Sequence, residues 1–243
     1  MQSVTWNLWH GCQKISTGCK HCYVYRTDAK YDRDSRAVYK TQNFNLPLKK
    51  DRKGNYKIPA GTLVYTCFTS DFLLEDADAW RAEAWEMMKT RSDCTFLFIT
   101  KRIDRFSKCL PPDWGDGYPN VVVCCTVENQ DRADYRLPYL LSAKAKYKEI
   151  ICSPLLTPID LSKYLTPEIR GVTAAGESGE EARVCDYQWI LDIRAQCIAA
   201  NVPFFFQQTG ANFRKNGKLY RVPRKEQHSQ ARKANINYGS RSV

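Results

Sequence analysis

Thr95-Phe96-Leu97-Phe98-Ile99-Thr100-Lys101-Arg102 is the stretch on which the fold turns. Leu97-Phe98-Ile99 is apolar without alternation, as expected of a strand buried on both faces of a parallel sheet. A polar, basic end follows it directly. Phe204-Phe205-Phe206, followed by Gln207 and Gln208, repeats the pattern. Working outward, similar short runs rich in β-branched, apolar or aromatic residues occupy Leu63 to Cys67, Thr95 to Thr100, Val121 to Cys125, Glu149 to Cys152, Gly171 to Ala174 and Pro203 to Phe206. Stretches with helical periodicity lie between them: Asp78 to Thr90, Ile103 to Lys108, Asp131 to Ser142 and Asp186 to Ala200. Strand and helix in alternation predict stacked βαβ units in the α/β class. A full or partial barrel satisfies this pattern, and so does an open doubly wound sheet. The absence of a Gly-rich phosphate loop weighs against an ordinary nucleotide-binding sheet.

The helix at Asp78 carries Trp80, Ala84, Trp85 and Met88 at helical spacing, which is a core-packing stripe. The polar stretch 38–61, interrupted by Pro47, Gly54 and Pro59, predicts an excursion from the sheet and is a candidate lid or substrate-contacting loop. The turn-rich segment 111–117 reads as a plain connection.

The chain has 243 residues, enough for one large core, and 43% of them are hydrophobic. Neither a secretory leader nor a membrane-spanning run is visible, so no membrane is expected. Eleven cysteines are an odd number, and several sit inside apolar runs such as Val121-Val122-Val123-Cys124-Cys125. That usage fits a reducing, cytoplasmic setting better than a disulfide framework. The net charge of +11 is concentrated: residues 211–243 hold nine Lys and Arg, at 214, 215, 218, 221, 224, 225, 232, 233 and 241, against Glu226 alone. With Phe213, Tyr220 and Tyr238 interleaved, this basic C-terminal extension suits stacking plus phosphate contact. A docked protein partner, or simply a solvated face, are the other readings. The expected division is a catalytic domain over 1–210 and the extension over 211–243.

Cys12, Cys19 and Cys22 form a C-x6-C-x2-C cluster, in which Gly11 and Gly18 precede the first two cysteines. Three thiolates on a four-iron cluster leave one iron open to a small molecule, whereas structural zinc and electron-transfer clusters normally use four protein ligands. Zinc is the rival, with His10 or His21 completing a Cys3His site. The spacing leaves both open.

Several blocks then carry a family resemblance: Thr5-Trp6-Asn7, Trp9-His10-Gly11-Cys12, Lys14-Ile15-Ser16 and Gly18-Cys19-Lys20-His21-Cys22-Tyr23. They continue with Ser70-Asp71-Phe72, Glu75-Asp76, Thr100-Lys101-Arg102, Val127-Glu128-Asn129, Pro154-Leu155-Leu156, Gly176-Glu177-Ser178-Gly179, Ala182-Arg183 and Val202 to Gln207. In this order they resemble the phage-associated three-cysteine-motif radical S-adenosylmethionine proteins, themselves similar to spore photoproduct lyases. The wider superfamily has a shorter first spacing and commonly an aromatic residue where His21 stands. Ser153 occupies a position where the resembled family often has Glu.

The resemblance implies a partial (β/α) barrel of the radical SAM type, with a cluster loop after its first strand. It also implies a [4Fe-4S] cluster on Cys12, Cys19 and Cys22, and S-adenosyl-L-methionine bound to the open iron. Reductive cleavage would then give a 5'-deoxyadenosyl radical that abstracts hydrogen from the substrate. A small electron donor such as flavodoxin or ferredoxin is implied as partner.

Most of the blocks follow predicted strands, which is the catalytic face of such barrels. Tyr23, Ser70 and Asp71 are cofactor-binding candidates, Asp71 being equally a helix cap. Lys101 and Arg102 are candidates for the cofactor carboxylate or for surface ion pairs. Glu128 and Asn129 are candidates for ribose hydroxyls or for capping the next helix. Glu177 and Ser178 are candidates for ligand contact or an ordinary turn. Cys67, Cys125 and Cys152, at strand ends, are candidate hydrogen-atom donors or buried core thiols. Together with the basic extension, the resemblance points to a nucleic acid or nucleotide substrate; the competing class is a non-catalytic, zinc-stabilised nucleic-acid-binding protein.

Overall fold

The apolar runs of the sequence assemble into a parallel sheet in a computed structural model that describes residues 2–240. Arg241 of the basic extension and the two residues after it lie outside the described residues. In chain order the elements are β1 (Ser3–Trp6), β2 (Trp9–His10), α1 (Tyr23–Ala29), β3 (Tyr39–Lys40), β4 (Leu63–Thr66), α2 (Asp78–Thr90), β5 (Thr95–Thr100), β6 (Val121–Thr126), α3 (Gln130–Ser142) and β7 (Tyr147–Cys152). They continue with β8 (Ile169–Ala175), β9 (Val184–Asp186), α4 (Tyr187–Ala199), β10 (Phe204–Gln208), β11 (Asn212–Lys215), β12 (Lys218–Arg221) and α5 (Arg224–Ala234).

Seven strands pair in the order β1-β4-β5-β6-β7-β8-β10, every pair parallel. The sheet curls into a half barrel flanked by helices. Alternation along each strand divides the core in two. Phe96 and Phe98 of β5, Val121, Val123 and Cys125 of β6, and Ile150 and Cys152 of β7 join the large cluster shared with Trp85, Leu137 and Ile190 of the helices. Leu63, Leu97, Val122, Cys124 and Ile151 form a smaller cluster on the concave side. Burial on both faces is why these strands read as continuous apolar runs.

Three stretches differ from the sequence reading. Ile103–Cys109 is a 3-10 helix in which Ile103, Phe106 and Cys109 are the buried residues. A spacing of three is the period of that helix, and it brings these side chains onto one edge. The segment 38–61 is tied to the body at several points, beginning with Tyr39–Lys40, which pairs with β2. Arg91, at the C-terminal end of α2, donates to Pro47 O at 2.6 Å and Ile58 O at 2.7 Å, and the Gly61 amide donates to Asp93 O at 2.7 Å. These bonds fasten most of the excursion at the N-terminal ends of the strands. The basic extension, finally, is folded into the body. β11 pairs with β9 and with β12, Phe213 and Ala231 belong to the large core, and Tyr238 exchanges backbone bonds of 2.9 and 2.8 Å with Phe204 on β10. The extension thereby pairs with and covers the β10 edge of the sheet. No helix among the described residues is long and apolar enough to cross a membrane.

Candidate functional site

The C-terminal ends of the parallel strands converge on one segment, the loop from Gly11 to Cys22. Asn7, just past β1, accepts the Phe68 and Thr69 amides at 2.8 and 3.2 Å, joining the ends of β1 and β4. Ser70 donates its hydroxyl to Gly11 O, and the Cys12 amide donates to Ser35 O at 2.8 Å. Tyr25 of α1 donates to Cys12 O at 2.5 Å, and Tyr23 donates to Phe68 O.

Asp71 is the hub under this loop, and it is only 5% exposed. Its carboxylate accepts the Thr100 hydroxyl at 2.7 Å, the Leu73 amide at 2.9 Å and the Lys101 amide at 2.9 Å, with Arg102 Nη1 at 3.4 Å. Arg102 in turn donates to Gln13 O at 2.7 Å and reaches Cys12 Sγ at 3.7 Å. Both side chains are thus occupied in holding the loop. Lys101 differs: no acidic side chain lies within ion-pair distance of its ammonium among the described residues.

On the β6 side, Glu128 is fully buried. It accepts Arg136 Nη1 at 2.7 Å and the Gly18 amide at 3.2 Å. A Cβ at Gly18 would stand 2.9 Å from Glu128 Cδ, so the loop lies against the carboxylate with no room for a side chain. Asn129 does not face the loop. It caps α3, accepting the Arg132 amide at 3.0 Å.

On the β8 side, Glu177 holds Arg183 in a two-pronged pair at 2.6 and 2.9 Å, and Arg183 Nη1 donates to Thr17 O at 2.9 Å. Burial pushes the pKa of Glu177 up, but the Arg183 bonds outweigh it and hold the carboxyl below its ordinary value. Ser178 accepts Arg26 Nη2 at 3.4 Å.

The three loop thiols are set apart from the rest. Cys12, Cys19 and Cys22 are partly exposed, and the other eight cysteines are buried. Burial and the nearby Asp71 push the Cys12 thiol up to about 12. Burial acts on Cys19 in the same direction, but Lys101 and hydrogen bonds from Ile15 and Ser16 outweigh it and lower that thiol. Among the described residues no three His, Cys, Asp or Glu side chains converge as ligands of one ion. His10 is held by Asp28 at 2.9 Å and His21 by Glu181 at 3.1 Å, so each imidazole is engaged by a carboxylate. A four-iron cluster takes each thiolate on a different iron, so its ligands need not meet at a point. A loop of soft, partly exposed thiols beside Lys101 and Arg102 suits such a group in donor chemistry and charge.

The three candidate hydrogen donors are all buried. Cys125 and Cys152 lie in the helix-facing cluster, with burial raising both thiols, Cys125 to about 12. They face away from the concave side, where Cys124 is the thiol instead. Cys67 lies beneath the loop at φ 66°, where burial and then Asp71 and Cys12 raise its thiol. The sequence reading missed Arg26 and Arg136 as site residues. Arg183 and Asn7 were visible only as members of resemblance blocks, and nothing but its place one turn beyond Cys22 marked Arg26.

No curated protein and no solved structure matches the chain. The family described as "Protein of unknown function (DUF5131)" matches residues 2–237, and with that match covering nearly the whole sequence the chain belongs to this family.

Proposed function

We propose that the chain is a radical S-adenosylmethionine enzyme, with Cys12, Cys19 and Cys22 holding a [4Fe-4S] cluster and a nucleic acid or nucleotide as substrate. One observation carries the reading. Of eleven cysteines, only the three on this loop are partly exposed, and the loop crosses the C-terminal edge of a curled parallel sheet, where α/β barrels carry out chemistry. The bound cofactors would supply one-electron cleavage of the sulfonium, with the electron from a flavodoxin- or ferredoxin-type donor, and hydrogen-atom abstraction from the substrate.

The protein's own part is positioning and exclusion of water. Asp71, Arg102, Glu128 and Arg183 fix the loop from four strand ends. Lys101, with no acidic side chain within ion-pair distance among the described residues, is the cation available to the methionine carboxylate. The concave residues Leu97, Val122 and Ile151 offer an apolar wall beneath. The β11–β12 hairpin supports the substrate class. Its Lys215, Lys218, Tyr220 and Arg221 are exposed, and it springs from the site, since the Ala211 amide donates to Glu177 O at 2.8 Å.

The test is purification without oxygen, assay of iron, sulfide and zinc, then addition of reductant and S-adenosylmethionine. Bound iron and sulfide with formation of 5'-deoxyadenosine are expected. Stoichiometric zinc without cofactor cleavage would overturn the reading in favour of a zinc-stabilised binding protein.

A further inference from the structure

Four arginines bind across the loop face, and three have their carboxylates: Arg102 with Asp71, Arg136 with Glu128 and Arg183 with Glu177. Arg26 is the fourth. It lies on α1, one turn beyond Cys22, and no acidic side chain comes within ion-pair distance of it among the described residues. Its Nε is buried without a hydrogen-bond partner. Among the described residues its side chain makes one hydrogen bond, Nη2 to Ser178 Oγ at 3.4 Å. Arg26 as a whole is half-buried, so its guanidinium keeps some solvent access while its Nε does not; a cation in that position favours an anion that supplies the missing acceptor.

The surroundings are shaped to this side chain. A Cβ at residue 179 would lie 1.1 Å from Arg26 Nη1, and Gly179 holds φ +109°, so glycine provides both the space and the backbone conformation. Turn 176–182, tied to the cysteine loop through Arg183 and His21, holds the guanidinium beside the site. Fork-shaped donors of this kind match planar or tetrahedral oxyanions, which they bind through paired N–H groups.

We infer that Arg26, with Ser178, is an oxyanion subsite that takes a phosphate group of the substrate. This rests on the reading proposed above, in which Lys101 takes the cofactor's carboxylate and leaves Arg26 for a second anion. The phosphate that distinguishes such a nucleotide or nucleic-acid strand from a free nucleoside is thereby given a named anchor.

The experiment uses the full chain, purified without oxygen, as wild type, Arg26→Gln, Arg26→Lys and Ser178→Ala. Each is titrated calorimetrically with inorganic phosphate, a thymidine dinucleotide with one phosphodiester, thymidine and S-adenosylmethionine. Arg26→Gln is expected to weaken the two phosphate probes about tenfold or more, the scale of one missing charge-assisted interaction. Arg26→Lys should lose less, Ser178→Ala less again, and binding of thymidine and S-adenosylmethionine should not change. Three results would each overturn the assignment: phosphate binding unchanged by Arg26→Gln, no phosphate binding by wild type, or a loss confined to S-adenosylmethionine. Iron and sulfide are assayed on the same samples. A chain without a cluster that still binds phosphate through Arg26 would sink the radical reading and keep the subsite, whereas a loaded chain indifferent to Arg26 would do the reverse. Thermal melts identify a variant that has merely failed to fold, and Arg26→Lys, which keeps the charge and most of the volume, then carries the comparison.

Discussion

Glu128 is closed off from solvent and holds two things at once, the Arg136 guanidinium at 2.7 Å and the Gly18 amide at 3.2 Å. Removing the carboxylate leaves Arg136, itself 1% exposed, as an uncompensated buried charge. Glu128→Ala is therefore expected to cost about 3–5 kcal/mol in urea unfolding, the range for breaking a buried pair from one side. A cost below about 1 kcal/mol would show that the pair is not buried in solution. Little of this was legible in the sequence. Val127-Glu128-Asn129 stood out as a polar block after an apolar run, and the residue types suited either ligand contact or helix capping. The structure separates the two neighbours: Asn129 turns to cap α3, and Glu128 turns inward to the loop. No local pattern distinguishes them, because the deciding partner, Gly18, lies 110 residues away. Asp71 is a similar case. Its type and strand-end position were readable, but the convergence of Thr100, Lys101 and Arg102 on its carboxylate depends on the β4–β5 pairing.

At the scale of elements, the strands buried on both faces were readable and the others were not. β5 begins and ends where its apolar run predicts, at Thr95 and Thr100, because each of its faces meets a core. β1 is short and half exposed, with Trp6 as its one buried residue, and only the family resemblance anticipated a strand there. β12 is exposed along its whole length, and its Leu219-Tyr220 pair is too short an apolar run to mark a strand. That exposure gives the hairpin its own prediction. Deleting residues 211–243 would take Phe213 and Ala231 out of the large core and uncover the β10 edge, so it is a poor probe of charge. Replacing Lys215, Lys218 and Arg221 with Gln leaves the packing in place. If the hairpin tracks a single strand, the slope of log affinity against log salt should become shallower by about 0.7 for each phosphate that is no longer neutralised. An unchanged slope in the triple variant would remove the hairpin from the nucleic-acid reading.

For the molecule as a whole, the half barrel divides its cysteines between two environments. Eight thiols are packed among apolar side chains, and three lie on the loop over the strand ends. The sequence showed the spacing of the three but not the seclusion of the others, since exposure is decided by which layer covers a strand. This contrast turns the chain into its own reporter. An alkylating reagent and an intact-mass measurement should register three adducts on native protein stripped of metal and eleven after denaturation. Protein retaining a cluster on the loop should register none until it is unfolded. Tallying adducts against time therefore gives loop occupancy and global unfolding from one sample, without a spectroscopic probe or a single substitution.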